Sequence, residues 1–172
     1  MTMLIRGTGA ELESFIAERF RGAYGASVAH FCAHLLGMRG ADGAWQAAAG
    51  YTPAAPGALY LEHYLDLPIE EMVSRAAAMQ VARESIVEVG NLASAARGCG
   101  RRFLPALGRY LRMRNYRWAV FTATREVRGL LTRLSFHAYP LGLALPERLP
   151  DGGAGWGTYY AHEPSVMAGR IP

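Results

Sequence analysis

Lysine is missing altogether. All eighteen positions counted as Lys or Arg are arginine, which excludes a phosphate loop of the Gly-Lys-Ser/Thr kind. Cysteine is scarce: Cys32 and Cys99 share no metal-ligand spacing, and in a reducing compartment both stay thiols. No window approaches the ~18 uninterrupted apolar residues of a membrane span. The opening MTMLIRGTGAELESF has no apolar core of the secretory kind, so a soluble cytoplasmic protein with no integral membrane segment is expected. Internal repeats and low-complexity tracts are lacking too. With 172 residues and 51% apolar content, the chain suffices for one full core and falls short of two comfortable domains; a single domain over 1–172 is expected.

What is present is a polarised charge. The net value of +4 conceals a segment from Arg97 to Arg133 in which ten arginines meet one acid, Glu126, a local +9. The other eight arginines and thirteen acids leave −5. Such polarity suits a solvated helix face or an anionic partner: a nucleotide-like cofactor, an acidic carrier protein, nucleic acid or an anionic membrane.

Periodicity orders the elements. Residues 3–7 read as a short first strand. Leu12, Phe15, Ile16 and Phe20 mark an amphipathic helix with acids early and arginines late. A hairpin is expected from His30 to Ala54 around the turn ADG. Residues 56–79 read as mostly helical, with Pro68 at the first position of a second helix. Glu84 to Ala95 form a strand, then come a helix over 101–115, a strand over 116–124, a helix over 125–135 and a strand over 136–145. The segment TYYAHEPSVMAG reads as a last strand broken at Pro164. This order predicts an α/β (α+β) domain with a mixed sheet covered by helices on both faces.

Between strand and helix stands Arg97-Gly98-Cys99-Gly100-Arg101-Arg102. Glycines there allow a tight turn and close backbone approach, and the helix start adds partial positive charge, so the loop is fitted to a pyrophosphate. Gly100 is expected to make the closest approach and to hold a positive φ. A dinucleotide fold would want a third glycine and an acid about twenty residues on, and neither is present. Cys99 sits in an electropositive loop, but no His is placed in sequence to activate it.

The loop resembles the pyrophosphate loop of the GNAT acyltransferase superfamily, whose pattern is Gln/Arg-x-x-Gly-x-Gly/Ala, with Arg97 and Gly100 on the motif and Arg102 where a small residue is usual. LLTRLSF is similar to the passage in which many members carry a tyrosine acid, and Leu131 takes that place. More of the chain, through YLDLPIEE, IVEVGNLAS, FTAT, LPERLP and WGTYYAHEPSVMAG, resembles the bacterial thermostable hemolysin family, whose members look GNAT-like and somewhat similar to acyl-homoserine-lactone synthases. The resemblance implies a twisted, largely antiparallel mixed sheet and an N-acyltransferase. Its donor would be a coenzyme A thioester or the 4′-phosphopantetheine of an acyl carrier protein, and its acceptor a small amine. The implied donor-binding residues are Asn91, Leu92, Ala93, Arg97, Gly98, Cys99, Gly100, Arg101 and Arg102.

Direct transfer needs a base for the amine and an acid for the leaving thiolate. Glu88, inside the apolar strand IVEVGN, is the candidate base, because burial there raises a carboxyl into the working range. It can also be a carboxylate on the solvent side of the sheet, or one paired to an arginine. Glu84 shares its alternation and lies nearer the strand start. Asn91 either binds a substrate amide or ends the strand. Thr122 and Thr124 read as strand residues. Tyr160 and Tyr159 are the candidate acids, at most one of which serves if both lie on a strand, and His162 has similar standing.

His30, His34 and His63 lack carboxylate or Cys partners at ligand spacing, and no metal is expected. Leu59, Tyr60, Leu61, Tyr64 and Leu65 form an apolar surface for a fatty acyl pocket or for the core. The alternative to an enzyme is a membrane-active, hemolysin-like protein without catalysis, yet no amphipathic hairpin long enough to span is present. Nucleic acid is not expected, since few aromatics besides Tyr110, Tyr116 and Trp118 interleave the arginines.

Overall fold

The structure, a computed structural model, describes Leu4 and residues 9–172; the strand expected over 3–7 lies, Leu4 aside, outside the described residues. Helix α1, Gly9–Tyr24, buries Leu12, Ile16 and Phe20, one residue every fourth position along one stripe. The hairpin follows as β1, His34–Arg39, and β2, Trp45–Pro53. Its turn is closed by the Gly40 N–H on the Ala44 carbonyl at 2.8 Å, with Gly43 at φ 79°. A one-turn 3-10 helix, Tyr60–Tyr64, and α2, Ile69–Ala77, come next. Pro68 is the N-cap of α2 and not its first helical residue as expected; its carbonyl accepts from Glu71 and Met72.

The second half alternates: β3, Ile86–Ser94; α3, Cys99–Met113; β4, Trp118–Ala123; α4, Arg125–Arg133; β5, Ala138–Leu143; β6, Ser165–Arg170. The final strand is shorter than expected. Tyr159–His162 form a separate 3-10 turn that ends at Glu163 in a left-handed conformation, φ 50°. The rule that adjacent strand residues face opposite sides therefore does not govern Tyr159 and Tyr160.

The six strands lie in the order β1-β2-β3-β4-β6-β5, and only β3–β4 is parallel. This is the expected mixed, largely antiparallel sheet. Alternate residues feed two layers. Val87, Ala119, Phe121 and Met167 pack with Phe103, Leu107 and Leu111 of α3, while Ile86, Trp118, Val120 and Val166 pack with Leu61 and with Ile69 and Val73 of α2. Helix α1 shares the second face, against Ala48 and Ala93.

Two irregularities shape the middle of the sheet. Gly50 pairs with Gly90 and Ala48 with Ala93, so Ala49 opposes both Asn91 and Leu92, with Asn91 at φ 52°. This bulge resets the alternation, and Leu92 joins Val89 on the α3 face while Ala93 points to α1. Secondly, β3 and β4 are bonded only between Ile86–Val89 and Trp118–Phe121. Beyond Val89 the strands part, leaving that edge of β3 without a strand partner.

Candidate functional site

The parting strands open a cavity of about 360 Å³ that passes from one face of the sheet to the other. On the α3/α4 face it is walled by Val89, Leu92, Leu104, Leu107, Phe121 and Leu131, with Arg109 of α3 beside them. On the opposite face its walls are Phe20 and Tyr24 of α1, His30 and Cys32, Tyr60 and Tyr64 of the 3-10 turn, and Trp156 and Tyr159.

Glu88 lies on this second face, on the last paired stretch of β3. It is 7% exposed. Its Oε2 accepts from the Tyr60 N–H at 2.9 Å and its Oε1 from the Leu61 N–H at 3.3 Å. Burial pushes its carboxyl up to about 7; the two N–H donors pull the other way, and the charge of Glu62 adds to the rise. No cation is bonded to it among the described residues, so the arginine-paired alternative does not apply. Glu84, by contrast, is exposed in the 3-10 turn Arg83–Ser85 and lines no part of the cavity.

The turn that supplies those two N–H groups is itself held by a clamp. Arg83 donates to both oxygens of Glu62 at 2.8 Å, to Glu70 at 2.6 Å, and to the carbonyls of Ala54 and Gly57. Glu62 also accepts from the N–H groups of Leu59 and Ile69. Burial opposes its ionisation, but these donors outweigh it and hold the carboxyl at about 2. Of the surface expected to line an acyl pocket or to be core, Tyr60 and Tyr64 line the cavity, Leu59 and Leu61 are core residues, and Leu65 packs against that core.

Asn91 lines the cavity, but its side chain is engaged: Oδ1 accepts from the Cys32 N–H at 2.8 Å and Nδ2 donates to the His30 carbonyl at 3.1 Å. It pins the segment before β1 across the bulge. Burial, and then the charge of Glu88, push the Cys32 thiol up to about 12, so it is no thiolate. Tyr159 lines the cavity, and its phenol makes no hydrogen bond among the described residues. Tyr160 stands behind Tyr64, the two hydroxyls 2.7 Å apart. Thr122 lines the wall, and Thr124, also there, caps α4 by accepting from the Val127 N–H. His162 is bonded to Glu126 at 3.1 Å.

The glycine loop ends α3 at its start. The left-handed residue is Gly98, φ 91°, the N-cap. This corrects the expectation for Gly100, which is a helical residue whose Cβ would lie 3.0 Å from Leu130 Cδ2; its smallness serves the packing of α3 on α4. The helix start has no side-chain cap and no acid in its first turn. Arg97, Arg101 and Arg102 are exposed around it and form no ion pair among the described residues. Cys99 is buried, its thiol directed at Gln46 Oε1 at 3.5 Å. Leu92 lines the cavity; Ala93 is packed under α1.

Among the described residues no group of three or more His, Cys, Asp or Glu could hold a metal ion, and no helix is long and apolar enough to cross a membrane. The fold is similar to that of the acyl-homoserine-lactone synthase LasI, with TM-score 0.62 and 15% identity over 100% of this chain and 92% of that one. It is also similar to FeeM, an N-acyl amino acid synthase from uncultured soil microbes, with TM-score 0.63 and 10% identity over 99% and 88%. A GCN5-related N-acetyltransferase from Kribbella flavida matches with TM-score 0.54 and 14% identity over 96% and 95%. At these identities the likeness establishes a GNAT-like fold. No curated protein matches the sequence. The thermostable hemolysin family model matches residues 6–172, and the chain belongs to that family.

Proposed function

We propose that the protein is an N-acyltransferase that moves an acyl group from a thioester donor to an amine by direct attack. The observation that carries this reading is the juxtaposition of Glu88, buried and held near neutrality, with the point where β3 and β4 part. Solved structures with this fold bear the names of acyl-transferring synthases and acetyltransferases.

The donor's phosphate, the pyrophosphate of coenzyme A or the single phosphodiester of a carrier-bound pantetheine, fits the start of α3, where uncapped N–H groups and the turn at Gly98 lie beside Arg97, Arg101 and Arg102. Cys99 and Gly100 supply backbone there. The pantetheine would run along the free edge of β3 at Asn91, Leu92 and Ala93, adding main-chain bonds as a short extra strand does. The acyl chain fits the aliphatic wall formed by Leu104, Leu107, Phe121 and Leu131.

Glu88 removes one proton from the ammonium acceptor, directly or through a water. The neutral nitrogen attacks the thioester carbon, the C–N bond forms and the C–S bond breaks. The second nitrogen proton ends on the departing sulfur, giving amide, thiol and one proton released through Glu88. Leu131 carries no proton, so the acid comes from the phenols on the other wall: Tyr159, or Tyr160 acting through Tyr64.

For the donor we favour the 4′-phosphopantetheine of an acidic carrier protein. Arg97, Arg101, Arg102, Arg109 and Arg112 are all exposed without ion pairs among the described residues, more cations than one pyrophosphate occupies, and a broad basic face suits an acidic helical partner. Incubation with matched acyl-CoAs and acyl carrier proteins plus mixed amines, read by thiol release and product mass, tests the reading. N-acyl amide with stoichiometric thiol supports it; thioesters left intact with every amine reject it. Faster turnover with coenzyme A would reassign the donor.

A further inference from the structure

The two halves of the cavity differ in what lines them, and the half around Glu88 is the aromatic one. Its rings form continuous walls. His30 stacks on Tyr60 at 4.6 Å, Tyr24 meets Tyr159 edge-on at 5.2 Å, and Trp156 lies 5.0 Å from Tyr159, with Phe20 against both Tyr24 and Tyr159. Ring faces bind flat or apolar bodies and attract cations.

The lining of this chamber carries one carboxylate, Glu88, and no arginine among the described residues. Burial holds the phenols of Tyr24, Tyr60 and Tyr160 above their usual range, and neighbouring carboxylates push the same way, Glu126 on Tyr24 and Asp151 on Tyr60 and Tyr160. His30 is lowered by burial and by His63, which favours its neutral form. His162, edge-on to Tyr24 at 5.0 Å, is already bonded to Glu126. Among the described lining residues the one arginine, Arg109, belongs to α3 on the far face. A carboxylate entering the chamber would lose its hydration without meeting a charged donor, and such burial is costly. An ammonium would meet Glu88 and the rings.

We infer that the acceptor is a primary amine with an aromatic or other apolar body and no carboxylate, seated among Phe20, Tyr24, Tyr60, Trp156 and Tyr159 with its nitrogen at Glu88. The inference rests on the acyltransferase reading for its role in turnover, but the chamber's selectivity can be measured by binding alone. The folded full chain would be titrated calorimetrically, with and without acyl-CoA, using the matched pairs tyramine and tyrosine, and pentylamine and norleucine. In each pair the amine lacking a carboxylate should bind at least ~10-fold more tightly. His30→Arg, which places a cation on the same wall, should shift the preference toward the amino acid by a similar factor. Equal or tighter binding of the amino acids, or of S-adenosylmethionine, by the unaltered protein overturns the inference, as does binding of neither amine with or without acyl-CoA. Selective amine binding without any acylated product would instead sustain the chamber assignment and reject the acyl-transfer reading.

Discussion

On the α3/α4 side of the sheet, the cavity wall is aliphatic and the helix behind it starts with three exposed arginines, a left-handed glycine and no acid. On the α1 side the wall is aromatic, and at its base lies a carboxylate that, among the described residues, is bonded to main-chain N–H groups alone. The neighbouring helix start sharpens the contrast. Helix α4 is capped by the Thr124 hydroxyl and carries Glu126 in its first turn, so its positive end is already answered from within the chain. The start of α3 is left unanswered. On the proposed reading, one half of the cavity takes an anion and a long apolar chain, the other a cation that must give up a proton, and the gap between β3 and β4 is where the two meet.

The largest expected effect comes from disabling the second half. Glu88→Gln keeps shape and some hydrogen bonding but cannot take a proton. Turnover should fall by roughly 10²–10⁴-fold with donor affinity nearly unchanged, as measured by thiol-release kinetics beside calorimetric titration of the donor. Parallel losses in affinity would mean that Glu88 supports the donor half instead.

The same residue should leave a mark on stability. Its carboxyl rises from 4.5 when unfolded to about 7 when folded, so the folded state prefers the protonated form. Its contribution is greatest below pH 4.5 and is lost as pH climbs through 7, a change of up to ~3 kcal/mol. Urea denaturation of wild type and Glu88→Gln across pH 4.5–8 should therefore show the mutant gaining relative stability with pH. A constant difference would place the carboxyl at its ordinary value.

The donor half should be more tolerant. Gly98→Val forces a β-branched side chain to φ 91°, which costs about 1–3 kcal/mol; donor affinity should drop by ten-fold or more while the acceptor chamber still binds amines. Gly100→Val should act mainly through Leu130 and the fit of α4, as a fall in thermal midpoint. Smaller still is Arg101→Ser with Arg102→Ser, expected to weaken the donor about ten-fold and to flatten the salt dependence of binding. An unchanged salt slope would show that the arginines are merely solvated.

How far the sequence revealed these halves follows from the range of the forces involved. The strand-glycine-helix passage at 86–113 is local, and its periodicity and charge point to the proposed donor half and place Glu88 inside an apolar strand. The proposed acceptor half is made from α1, the segment at 30–32, the 3-10 turn at 60–64 and the turn at 159–162, which only tertiary packing brings together. Tyr24 and Trp156 carry no linear signal, and His30 stands out in the sequence only as a metal candidate. Tyr159 and Tyr160 were read as strand residues because β-rich composition cannot distinguish a strand from a 3-10 turn. The shift of positive φ from Gly100 to Gly98 has the same origin: two glycines two apart leave open which one caps the helix and which one packs against α4.

The most direct test of the central claim is the pH dependence of acyl transfer at saturating donor, compared between wild type and Glu88→Gln. The account predicts that the wild-type rate rises through an inflection near pH 7, as Glu88 becomes able to accept a proton, and that the mutant lacks this inflection. Identical profiles, or full mutant turnover at neutral pH, would remove Glu88 from the chemistry and contradict the account.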